Sequence, residues 1–155
     1  MPSFLVDTNV WLRSVDALSA QHQPACRAIA GILAQGDNIF LAPQNLIEFW
    51  AVVTRPVGAN GLGWTIERVG QEVASLRAQF PLLSESDEIF RQWLELVTKH
   101  RLAGKRVHDA RLAAIMAVHS ITRLLTFDHE HFMAFSHITI VRPDMFAANP
   151  ALEKL

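Results

Sequence analysis

The chain has 155 residues, half of them apolar, and a formal net charge of −1. That length fits one domain with a sizeable core, and the near-zero charge argues against strong non-specific binding of nucleic acid while leaving room for a local basic patch. One cysteine, Cys26, excludes an internal disulfide and fits a reducing cytoplasm; no secretory leader or bilayer-spanning run is expected.

Phe4-Leu5-Val6 runs straight into Asp7-Thr8-Asn9. A short unbroken apolar run predicts a strand buried on both faces, with Asp7 at its carboxyl end. Asp7 or Thr8 caps a short helix through Leu12 and Arg13. A second helix follows from Pro24, packing Ile29, Ile32 and Leu33, and Gly36 stops it. Asn38 to Ala42 reads as the second strand. Pro43 opens a helix over about Gln44 to Arg55, which Pro56 ends.

Val57 to Gly63 carries three glycines and reads as a loop, expected to act as a flexible lip. Thr65 caps a helix to about Gln79. Phe80 to Leu83 is an edge strand at most, because of Pro81. Ser84 or Ser86 caps a helix to about Leu102, stopped at Gly104, and another helix spans about Val107 to His119. Ile121 to Thr126 is a strand, Asp128 to Phe135 a short helix and Ile138 to Val141 the last strand. Strands alternating with helices predict an α/β fold with a parallel sheet and right-handed crossovers.

Four acids stand at the ends of these elements. Taken alone, each has a plain structural reading: Asp7 and Asp128 as helix caps, Glu48 as a solvated side chain, Asp109 as an acid favoured in a first helical turn. Together they fall near one edge of the sheet, because parallel strands share a direction and ligands bind beyond their carboxyl ends. Clustered carboxylates repel unless a cation sits among them, and hard oxygen donors select Mg²⁺ or Mn²⁺. Such ions stabilise charge on a phosphoryl group and activate water, so the arrangement serves phosphodiester hydrolysis.

At these residues the chain resembles the PIN-domain ribonucleases, in particular the VapC-like toxins of bacterial toxin–antitoxin pairs. The resemblance rests on Phe4 to Asn9, Pro43 to Trp50 with Thr54-Arg55-Pro56, Asn60 to Gly63, His108-Asp109-Ala110, and Leu124 to Asp128. It implies a PIN-like domain over 1–143 with a sheet of about five parallel strands, followed by a tail over 144–155. It also implies Mg²⁺- or Mn²⁺-dependent endoribonuclease activity, an RNA substrate, a homodimer and an antitoxin partner. The family's acidic quartet maps onto Asp7, Glu48, Asp109 and Asp128, with Glu130 close enough to compete for the fourth place. The high apolar content independently predicts that some surface meets a partner.

The remaining chemistry is weaker. His129 and His131 are two apart and would face apart on a helix, and no Cys accompanies His108 or His119, which argues against zinc. A dehalogenase-like phosphatase needs an acid where Asn9 stands. Ser14 and Ser19 lack a His-and-acid context. Lys105 and Arg106 are expected to position phosphate, with Arg55 and Arg111 flanking the same mouth. Thr8, Asn9 and Asn45, beside the acids, complete the candidate substrate-binding set. Trp11, Trp50, Trp64 and Trp93 are expected in the core or an interface.

Overall fold

The opening apolar run forms β1 (Ser3–Val6), and Phe4, Leu5 and Val6 are all buried. Phe4 and Val6 join one apolar cluster and Leu5 the other, which is why the run shows no polar alternation. A computed structural model describes residues 1–146 of the chain. In it β1 lies between β2 (Asn38–Phe40) and β3 (Arg123–Leu125), with β4 (Thr139–Val141) outermost in the order β2-β1-β3-β4. Every pairing is parallel, with Phe4 set between Ile39 and Arg123.

Among the described residues the sheet therefore has four strands where about five were expected. Phe80 to Leu83 contributes one parallel bridge, Leu41 to Leu82, flanked by Leu41 N–H donating to Pro81 O at 2.9 Å and Leu83 N–H to Leu41 O at 2.8 Å. Pro81 has no N–H with which to extend that ladder.

Among the described residues six α-helices cover the two faces: α1 (Thr8–Ser14), α2 (His22–Ala34), α3 (Pro43–Val53), α4 (Ile66–Gln79), α5 (Asp87–Lys99) and α6 (Arg106–Val118). Pro43 occupies the first turn of α3, and the Thr65 hydroxyl caps α4 by accepting from Arg68 N–H at 3.1 Å. α1 to α4 supply the cluster around Phe4, Trp11 and Phe49, while α5 and α6 supply the one around Leu5, Ile115 and Phe132. α6 is the most deeply placed helix, with Leu112 to Met116 buried without interruption.

Several boundaries differ from expectation, three of them as follows. α5 ends at Lys99 instead of Leu102: Arg101 takes φ 52°, its N–H reaches Thr98 O, and Leu102 N–H reaches Val97 O at 3.0 Å. This is a Schellman stop, closed three residues before the glycine expected to end the helix. The helix expected over Asp128 to Phe135 is a single 3₁₀ turn, His129–His131. Residues 144–146, expected in the tail, belong to a docked stretch: Pro143–Met145 forms a 3₁₀ turn and Phe146 packs on α2 over Gly31, where a Cβ would strike its ring. The rest of that tail, 147–155, lies outside the described residues.

The tryptophans are structural. Trp11 packs on Phe80 at 5.5 Å between ring centroids, Trp64 meets Phe49 edge-on at 6.0 Å, and Trp93 Nε1–H donates to Val107 O at 2.8 Å. Cys26 is half-buried in α2, and burial pushes its thiol pKa up. Among the described residues no helix is long and apolar enough to cross a membrane.

Candidate active site

From β1 the chain crosses to β2 on one side and returns to β3 on the other, so the strand order reverses between β1 and β3. A crevice opens at such a point, beyond the carboxyl ends of the strands. Asp7 follows β1 there. Its Oδ1 accepts from Thr8 N–H at 2.8 Å, capping α1, and its Oδ2 accepts from the Thr126 hydroxyl at 2.8 Å. Asp7 therefore caps α1 with one oxygen and ties β1 to the end of β3 with the other.

Thr126, just past β3, knits the two strand ends together. Its hydroxyl oxygen accepts from Asp128 N–H at 3.0 Å, and Asn9 Oδ1 accepts from Phe127 N–H at 3.4 Å. Thr8 reaches the other way: its hydroxyl donates to Glu48 Oε2 at 2.8 Å and accepts from Asn45 Nδ2–H at 3.1 Å. The second Glu48 oxygen, Oε1, accepts from Gln44 Nε2–H at 2.9 Å, one turn earlier on α3. Asp109, in the first turn of α6, has Arg106 Nε and His131 Nδ1 each 3.5 Å from Oδ2.

Asp7, Glu48, Asp109 and Asp128 all line one cleft of about 850 Å³. Thr8, Asn9, Arg55, Lys105 and Arg111 line it too, and Leu12, Ile47 and Val52 give it an apolar wall. Two expected substrate contacts are placed elsewhere. Asn45 is 1% exposed and holds Thr8 from below. Arg106 turns onto Asp109 and donates from Nη2 to His131 O at 2.9 Å. Asp128 lines the cleft and Glu130 does not, since the 3₁₀ turn carries Glu130 away.

The acids feel one another. Asp7 is pushed up to about 7, chiefly by burial, with the Glu48 and Asp109 charges adding to the rise and the Thr126 and Thr8 hydrogen bonds opposing it. Burial also raises Asp109, against the pull of His131 and Arg106, while Asp128 and Glu48 push it further. Oxygen-only donors that destabilise one another's charge suit a hard divalent cation. Among the described residues no three His, Cys, Asp or Glu side chains converge closely enough to grip an ion as they stand. Asp7 and Glu48 are held by Thr8, Gln44 and Thr126, so closing on an ion falls to rotation of Asp109, whose ion-pair contacts are 3.5 Å long.

The family model of the PIN domain matches residues 4–138. The chain belongs to the PIN domain family. Solved structures agree with this PIN fold. The VapBC2 structure from Rickettsia felis, bound to a promoter DNA fragment, matches with a TM-score of 0.67 at 13% identity, covering 90% of this chain and 98% of that one. VapBC-1 from nontypeable Haemophilus influenzae matches at 0.66 and 15%, covering 92% and 98%. VapC20 from Mycobacterium tuberculosis, a toxin that cleaves the sarcin–ricin loop, matches at 0.62 and 20%, covering 84% and 94%. At these identities the likeness is one of fold. The sequence matches none of the curated proteins it was compared with.

Several members of this PIN site were not among the residues singled out from the sequence. Thr126 was legible only as a strand end, and Gln44 only as the start of a helix. Glu85, which accepts from Arg111 Nη2 at 2.6 Å at the cleft edge, carried no signal, because its partner lies 26 residues away on α6.

Proposed function

We propose that this PIN domain is a Mg²⁺- or Mn²⁺-dependent endoribonuclease and the toxin of a toxin–antitoxin pair. The observation that carries the reading is the convergence of Asp7, Glu48 and Asp109 on one cleft, close enough for each charge to be felt at Asp7. Asp7, Glu48 and Asp109 would hold the ion, with Asp128 at the rim. When bound, the ion supplies charge stabilisation at the phosphoryl group and lowers the pKa of an attacking water.

The chain's own residues supply the rest. Lys105, Arg111 and Arg55 present positive charge along the cleft, suited to contact with RNA phosphates. Leu12, Ile47 and Val52 offer an apolar wall for unstacked bases. Thr8 and Thr126 fix the carboxylates before substrate arrives, which limits reorganisation during reaction. An acidic pocket of this kind also suits an Arg or Lys from an antitoxin, placed where the ion would sit. The structures it resembles include a toxin–antitoxin complex from Klebsiella pneumoniae and a member of the VapBC family of toxin–antitoxin systems from Mycobacterium tuberculosis. A homodimer and a cytoplasmic location complete the proposal.

The test is cleavage of single-stranded RNA by the purified protein with Mg²⁺ or Mn²⁺. Activity that survives EDTA, or full activity in Asp7→Asn, defeats the proposal. Cleavage of DNA oligonucleotides in preference to RNA points to a DNA nuclease on the same fold. Tight binding without cleavage points to a binding module.

A further inference from the structure

Gln44 spends every hydrogen-bonding group it has on the site. Its Nε2 donates to Glu48 Oε1 at 2.9 Å and to the carbonyl of His108 at 2.9 Å. Its Oε1 accepts from Arg111 Nη1 at 3.3 Å, and the other arm of that guanidinium is held by Glu85. The His108 carbonyl belongs to the residue just before Asp109. One side chain therefore ties the Glu48 carboxylate on α3 to the first turn of α6, across which the two acids face the same cleft.

We propose that Gln44 is a positioning residue: it sets the spacing of Glu48 against Asp109 so that both carboxylates can serve one divalent cation. This rests on the metal-dependent reading above. The chemistry favours an amide at this place. Gln44 lies in the first turn of α3, where a helix dipole favours an acid, yet an acid there would face Glu48 and a carbonyl with no donor. A lysine or arginine would donate, but would bring its own positive charge and compete with the ion. A neutral amide holds the Glu48 oxygen and leaves its charge uncompensated.

Thr8 holds the opposite oxygen, with Asn45 behind it, so Glu48 is gripped from both sides by neutral donors. Asp109 has only ion-pair contacts at 3.5 Å and can turn. The fixed member of the pair is Glu48, and Gln44 is what relates its position to the element carrying the other.

The test is calorimetric titration of Mn²⁺ into the wild type, Gln44→Met and Gln44→Asn, with melting measured separately in EDTA. Methionine keeps the length and removes the donors, while asparagine keeps the amide and cannot span both partners. Loss of the hydrogen-bond partner behind a metal-holding carboxylate costs about 10–100-fold in metal affinity, and that loss is expected in both variants with their EDTA melting unchanged. Gln92→Met, which removes a similar Gln–Glu pair on α5, should bind Mn²⁺ as the wild type does. Variants with wild-type affinity overturn the positioning role and leave the nuclease reading standing. Affinity that falls only in step with EDTA melting shows a structural role and overturns it as well. A wild type that binds no Mn²⁺ overturns both.

Discussion

The Thr126 hydroxyl donates to the Asp7 carboxylate at 2.8 Å, joining the ends of two strands whose residues lie 119 positions apart in the chain. The bond holds a carboxylate that burial would otherwise keep protonated. Asp7 sits at about 7, above the ordinary value of 3.8, even with Thr126 and the Thr8 amide pulling it down.

That shift has a sign. The fold binds the Asp7 proton more tightly than the unfolded chain does, so this stabilising contribution is fully present below about pH 4. It is lost as pH rises towards 7 and is absent above. Asp7→Asn carries no such proton and should show a flatter stability profile, gaining on the wild type on the order of a few kcal/mol between pH 4 and 8. Urea midpoints of both proteins in EDTA across that range check it. Parallel profiles would mean that Asp7 is not shifted.

Metal should reverse the penalty. A ligand that binds only the folded state adds about 2.7 kcal/mol at a hundred times its dissociation constant, which raises the melting temperature by roughly 5–10 °C for a domain of this size. Asp109→Asn should shrink that response. Its metal-free melting should stay near wild type, because burial and the neighbouring acids oppose the Arg106 and His131 contacts at the same carboxylate. Differential scanning fluorimetry with and without Mn²⁺ reads both quantities. An identical Mn²⁺ response in wild type and Asp109→Asn removes Asp109 from the metal site.

The four acids should not be equal in catalysis. Asp7→Asn and Asp109→Asn are expected to cost a hundredfold or more, on the order of 3 kcal/mol of barrier. Asp128→Asn should cost about tenfold or less, since Asp128 is exposed at the rim of the cleft. Single-turnover RNA cleavage at saturating Mn²⁺ ranks them. An Asp128 variant as inert as the Asp7 variant would contradict the rim placement.

The glycine-rich loop gives a paired test. A Cβ at Gly61 would run into the carbonyl of Arg55, whereas one at Gly58 would meet nothing. Gly61→Ala should therefore destabilise the fold and disturb the backbone that carries Arg55 at the cleft. Gly58→Ala should be neutral or slightly stabilising, by up to about 1 kcal/mol. Chemical denaturation of both, with RNA affinity as the second readout, separates them. Equal effects at the two positions would show that the close approach to Arg55 is unimportant.

Much of this was legible in the sequence. The Phe4–Val6 run and Pro43 are local signals of strand and helix start, and both appear where the chain predicts them. The acids at element ends were legible because strand direction in a parallel α/β fold carries them to one edge. What escaped the sequence was pairing across elements. Nothing near Arg111 announces Glu85, and nothing near Asp7 announces Thr126. Arg101 in a left-handed stop is an outcome of backbone hydrogen bonding that residue type alone does not reveal, whereas Pro81 had already limited Phe80 to Leu83 to an edge strand at most.

The placement of β1 between β2 and β3 also sets a timetable. During synthesis Asp7 and Glu48 leave the ribosome before Thr126 exists to hold Asp7, and β1 has no partner on its β3 side until then. Pairings so distant in the chain form late and slowly. A nascent chain arrested before Leu125 should carry three of the four acids and still show no EDTA-sensitive cleavage. On the reading proposed above, cleavage would then begin only once translation has passed β3.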